Sequence, residues 1–121
     1  MEAKLVKTEI AEYVRAEWTG ENKSKVRPIG DKVLVLPDEA AGAFGSIHIP
    51  EDMQRRHSLA AESGVLVDAG RHAFSWIPMA PHRPQPGVHV FIERYSGQVI
   101  RGADGKMYRL MDDKCIGAVD G

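Results

Sequence analysis

Residues Gln98–Leu110 read QVIRGADGKMYRL: two short runs rich in β-branched, aromatic and long apolar residues on either side of Asp104-Gly105. An Asp-Gly pair between two such runs is a strong short-range hairpin signal, because both central residues of a two-residue hairpin turn need positive φ. The same grammar extends in both directions. KVLVL (Lys32 to Leu36), GVLV (Gly64 to Val67), VHVFI (Val88 to Ile92) and CIGAV (Cys115 to Val119) are short, β-prone and bounded by Gly, Pro and Asp. Six such runs predict an all-β fold, a small β-barrel, over most of the chain.

The chain has 121 residues, enough for one ordinary domain with a modest core. With 43% hydrophobic and 27% charged residues it reads as globular rather than disordered or membrane-spanning. No apolar run approaches the length of a spanning helix and no secretory leader pattern is present, so a cytoplasmic protein is expected. Sixteen basic against 17 acidic residues leave a net charge of −1, without the broad basic footprint of a nucleic-acid or lipid binder. A single cysteine, Cys115, excludes an internal disulfide framework and a Cys-based zinc site, and its place in KCIGAV predicts a packing role.

Three stretches depart from the strand grammar. Residues 1–24 place Val6, Ile10 and Val14 four apart, with Tyr13 and Trp18 beside them, which predicts an amphipathic N-terminal helical extension ahead of a domain over 25–121. Residues 38–62 and 71–86 carry clusters of Gly, Ser and Pro and predict long loops, and loops of that length in a compact domain are functional or disordered.

Catalytic chemistry finds little support. Of the five histidines, His48, His57, His72 and His82 fall in predicted loops and His89 in a strand, with no i, i+4 pair carrying an acidic partner, so no metal site is expected. No glycine-rich phosphate cradle occurs, and Asp112-Asp113 sits where aspartate serves a turn. The expectation is a protein that is not an enzyme and has no catalytic residue or cofactor of its own.

Taken in order, KVRPIGDKVLVLPDE (Lys25 to Glu39), GSIHIPE (Gly45 to Glu51), SGVLVDAG (Ser63 to Gly70), PGVHVFIERYSGQVI (Pro86 to Ile100) and MYRLMDDKCIGAVDG (Met107 to Gly121) resemble the co-chaperonins of the GroES type. The family's opening motif is met by Arg27, Pro28, Asp31, Val33 and Val35, its tyrosine–glycine turn by Tyr95, Ser96, Gly97 and Ile100, and its closing strand by Cys115, Ile116, Gly117 and Val119. The resemblance implies a small irregular GroES-like barrel with a mobile loop over 38–62 and a roof segment over 71–86. It implies a co-chaperonin that assembles into a heptamer, caps a GroEL-type chaperonin chamber and assists protein folding. ATP or ADP would be bound by that chaperonin and not by this chain. An unfolded client would be an indirect partner, with neither nucleic acid nor membrane involved. Subunits would pair through the first and last strands, placing Val26, Val33, Val35, Cys115, Ile116 and Val119 at the subunit interface. Phe74, Trp76 and Ile77 would form the roof.

The family's chaperonin-binding motif maps onto Ile47, His48 and Ile49, preceded by Gly45 and Ser46 and followed by Pro50. Elementary geometry agrees, since residues i and i+2 of an extended chain share a side and Ile47 and Ile49 form a two-pronged apolar anchor. Burying each prong is worth about 1.5–3 kcal/mol, and ordering a flexible segment costs about 2–5 kcal/mol. A single anchor is therefore weak, and a ring of them gains about 10²–10⁴ by avidity. His48 stands where the family carries an apolar residue, and the segment before Lys25 lies outside the family pattern, which points to a divergent or phage-type member. The alternative reading is a small barrel that binds single-stranded nucleic acid on Phe91, Arg94 and Tyr95.

Overall fold

The computed structural model describes residues 5–7, 12–40 and 51–120. In chain order its elements are β1 (Leu5–Lys7), β2 (Glu12–Val14), β3 (Lys32–Pro37), β4 (Glu39–Ala40), α1 (Glu51–Ala60), β5 (Ser63–Ala69), β6 (His89–Ile92), β7 (Gln98–Arg101), β8 (Met107–Asp112) and β9 (Ile116–Val119). Every strand pairing is antiparallel, and the principal sheet is six-stranded and open, in the order β7-β8-β3-β5-β6-β9. All six runs expected to be strands fall in it.

β3 explains why this sheet is the core. Its KVLVL run has no polar alternation, the signature of a strand buried on both faces. Val33 and Val35 point to one side, where they pack with Leu66, Phe74, Val90, Ile92, Met111 and Ile116. Leu34 and Leu36 point to the other, against Val67 and Tyr108. The second side is covered by Ala16 and Trp18, from ahead of the expected domain, and by Val26 at its start.

The N-terminal helical arm is not what forms among the described residues. Leu5–Lys7 and Glu12–Val14 are instead antiparallel strands, and β2 pairs on with β4 through Tyr13↔Ala40 and Val14↔Glu39. The four-residue spacing that predicted one helix does not run along one element, because Val6 and Val14 lie on two antiparallel strands, with Val6 opposite Tyr13 and Leu5 opposite Val14. A partner strand at 39–40 decides between the two. A second correction concerns 38–62, expected as one loop: Glu51–Ala60 within it is a helix.

The β7–β8 hairpin pairs Gln98↔Leu110 through Arg101↔Met107, as the opening stretch predicts. Its loop is longer than the two-residue turn expected. Gly102 N–H donates to the Lys106 carbonyl and Gly105 N–H to the Gly102 carbonyl, and of the Asp-Gly pair only Gly105 has positive φ, at 84°. The Asp104 carboxylate accepts instead from the Lys106 N–H and the Tyr108 hydroxyl.

Candidate functional site

Three regions carry the residues singled out in the sequence. The anchor residues Gly45, Ser46, Ile47, His48, Ile49 and Pro50 lie outside the described residues, and the structure supplies only the two ends of their segment. One end is β4. The other is α1, which lies against β7 and β8. Arg55 on α1 donates to the Val99 carbonyl, and the carbonyls of Ser58 and Ala61 at its C-terminal end accept from the Arg109 guanidinium at 3.4 and 2.9 Å.

The proposed interface residues separate into two groups. Val33 and Val35 have no exposed surface, and both edges of β3 are hydrogen-bonded within the chain, to β5 and β8. An interface role for these two side chains is thereby replaced by a core role. The others lie at the sheet's margin. β9 is an edge strand paired only with β6; Ile116 is buried beneath it, Cys115 is half-buried, and Val119 is 44% exposed. Residues 26–29 belong to no strand among those described, Val26 is half-buried, and Ile29 is 80% exposed.

The roof residues are brought together by a single carboxylate. Asp113, buried, accepts from the Phe74 backbone N–H at 2.7 Å and from the Trp76 indole N–H at 3.1 Å, both on Oδ2. Phe74 is itself a core residue, held at φ 63°, and Ile77 packs against the same core. Trp76 and Met79, 52% and 56% exposed, are left on the surface. The aromatic surface of the alternative reading is present in part, with Phe91 and Tyr95 exposed. Its cation, however, is turned to its own chain: Arg94 lies 4.9 Å from the Tyr95 ring centre and 3.6 Å from the Glu62 carboxylate.

Sequence reading missed a buried polar cluster beneath the root of β4. The Asp38 carboxylate accepts from Ser63 Oγ at 2.5 Å, His89 Nε2 at 2.7 Å and the Ala16 backbone N–H at 2.7 Å. The other ring nitrogen of His89, Nδ1, lies 3.1 Å from Asp120, which also accepts from Arg15 at 2.8 Å. With a carboxylate at each ring nitrogen, only the imidazolium donates to both; the neutral ring has one N–H. The available signal was His89 within VHVFI, a histidine in a strand whose neighbours are apolar. Its partners come from residues 38 and 120, which no local pattern links. Ser63 bonds Asp38 rather than the histidine and is fully buried, so the group has no nucleophile–base geometry. Among the described residues no group of three His, Cys, Asp or Glu is placed to hold a metal ion, and no helix is long and apolar enough to cross a membrane.

The chain matches no protein-family model.

Proposed function

We propose that this chain is a co-chaperonin of the GroES type, which forms a ring and caps a GroEL-type chaperonin in the presence of adenine nucleotide. The observation that carries the reading is the open margin of the sheet. β9 ends the sheet with one side unpaired and Val119 exposed, and residues 26–29 are a second stretch without a strand partner and with Ile29 exposed. Exposed edges of this kind are normally covered. An open strand edge and a separate stretch outside the sheet suit a heterologous contact, in which one copy's 26–29 stretch joins β9 of the next and rotation closes the ring. The heptamer and the small irregular barrel are part of the same proposal. It is supported by the order of motifs along the chain and by six antiparallel strands in the places those motifs require.

In this reading the interface comprises Val26, Cys115 and Val119 with the backbone of Ile116, and Ile47 and Ile49 are the apolar prongs that enter a groove on the chaperonin. In an extended chain a residue between two such prongs faces away from them, and His48→Val distinguishes that placement from one in the groove by whether complex formation changes. Chaperonin attachment is weak per subunit and strong per ring, so release needs only a change in the partner's groove.

Two measurements test the proposal. Native mass spectrometry is expected to give a ring-sized particle, and sedimentation with a GroEL-type chaperonin a complex that requires ATP or ADP. A chain that stays monomeric at high concentration and leaves the chaperonin's ATPase rate unchanged overturns it. Ile47→Asp or Ile49→Asp is expected to abolish the complex with the ring mass unchanged.

A further inference from the structure

We propose that residues 71–83, within the segment read as a roof, are a preformed docking surface for an acidic polypeptide segment that carries apolar side chains. The inference stands on the described residues and does not depend on the co-chaperonin reading.

The composition of this stretch is one-sided. From Ala69 to Ile92 the chain has no aspartate or glutamate, while Arg71, His72, His82 and Arg83 all fall within 71–83. Arg71, His72 and His82 are exposed, and between them so are Trp76, Pro78 and Met79. Asp113, the carboxylate beneath the stretch, is buried and turned inward to the Phe74 and Trp76 N–H groups. The surface therefore combines apolar side chains with basic ones.

That surface is also held in shape. The bond from the Trp76 indole N–H to Asp113 fixes the ring while about half of the residue stays in solvent. Phe74 and Ile77, on either side of it, are anchored in the core. Ser75 N–H donates to the His72 carbonyl and closes a turn ahead of the ring. Beyond it, Arg83 Nε donates to the Ile77 carbonyl at 2.9 Å and His82 N–H to the Met79 carbonyl at 2.9 Å, which folds 77–83 back on itself. The fold-back sets the Arg83 guanidinium beside Ile77, next in the chain to Trp76. Pro78 and Pro81 restrict φ inside it. Tryptophan and arginine are the side chains that most often carry the energy of protein–protein contacts, and a shape fixed beforehand spares the ordering cost of binding.

Charge decides the kind of partner. An anionic bilayer is read by clusters of about four to eight lysines and arginines, and a nucleic-acid backbone through about six to ten phosphate contacts. This stretch has two arginines, on a chain whose net charge is −1. Two arginines match one or two carboxylates, and Trp76 and Met79 match the apolar side chains beside them. An acidic polypeptide supplies both.

The test adds to the full-length chain a fluorescein-labelled peptide of aspartate, leucine and serine, or a counterpart with lysine in place of every aspartate. Fluorescence anisotropy gives the affinity. Proton–nitrogen correlation spectra give the place, because the chain has two tryptophans, Trp18 and Trp76, and Trp76→Phe assigns their indole resonances. The acidic peptide is expected to bind saturably and to shift the Trp76 indole resonance while leaving that of Trp18 in place. The lysine peptide should bind at least tenfold more weakly. Arg71→Glu is expected to weaken the acidic peptide about fivefold and Met79→Asp about tenfold. Both side chains are exposed, so the urea midpoint should not move. Absence of saturable binding, equal affinity for the two peptides, a shift confined to Trp18, or unchanged affinity in both variants overturns the proposal. So does tighter binding to phosphatidylserine vesicles or to a single-stranded oligothymidylate than to the acidic peptide. None of these readings involves a chaperonin, so failure of the co-chaperonin reading leaves them intact.

Discussion

Arg109 is the residue on which most of the local architecture converges. It has no exposed surface, and its guanidinium donates to the carbonyls of Ser58, Ala61, Glu93 and Ser96 and to Ser96 Oγ, joining the end of α1 to the turn between β6 and β7. Burial lowers its pKa to about 10, against an ordinary 12.5, which leaves it a cation at neutral pH. Arg109→Met strands four carbonyls and is expected to cost about 3 kcal/mol or more in urea unfolding. Arg109→Lys should recover little of that, because one ammonium does not span from Ala61 to Ser96. Gly97 makes a second residue-scale prediction. It has φ 71° and a Cβ there would run into the Leu110 carbonyl, so Gly97→Ala is expected to destabilise by about 1–3 kcal/mol in the same assay. Tyr108 gives a pH prediction. Burial, and then the Asp104 carboxylate, raise its pKa well above the ordinary value of 10.0. The folded phenol keeps its proton after the unfolded one has lost it, so this group's stabilisation is complete below pH 10 and is lost as pH rises beyond it. Difference titration against Tyr108→Phe should show no phenolate step up to about pH 11 while the chain is folded.

At the scale of elements, the informative contrast is between β3 and β9. Both are short apolar runs, yet β3 is enclosed on two faces and two edges while β9 keeps one edge open. Sequence reading placed Val33, Val35 and Val119 together because the resemblance linked first and last strands. Burial separates them: a strand between two hydrogen-bonded neighbours has no amide left to offer another chain. The stretch without a strand partner is one step earlier, at 26–29, where Val26 bonds only to Asn22 and Ser24 close by. Ile29→Asp is accordingly expected to dissociate the proposed ring by native mass spectrometry with little effect on the fold, since the side chain is already exposed. Val33→Asp, by contrast, should unfold the subunit, because it places an unpaired charge in the core. The N-terminal elements give the same lesson from the other side. The spacing of Val6 and Val14 suggested one helix, and the structure instead sets them on two antiparallel strands, of which β2 pairs with β4.

On the scale of the whole molecule, the chain is a six-stranded sheet whose two faces are closed by different kinds of sequence. One face is covered by Phe74 and Ile77 from the segment read as a roof, the other by Trp18 and Ala16 from ahead of the domain and Val26 at its start. The sequence alone determined the β character, the position of every strand in the main sheet and the hairpin at Asp104-Gly105. Those features are local: alternation, β-branching and turn residues act over a few neighbours, and their signals survive without knowledge of the fold. Only the tertiary structure decided the rest: that β3 is central and β9 marginal, that the N-terminal segment is extended and joined to β4, and that Asp38, His89 and Asp120 meet. Each of these depends on partners far apart in the chain, 51 residues from Asp38 to His89 and 105 from Arg15 to Asp120. Buried polar groups are placed by the requirement that each find a donor or acceptor in the folded interior, and that requirement leaves no periodic mark on the sequence.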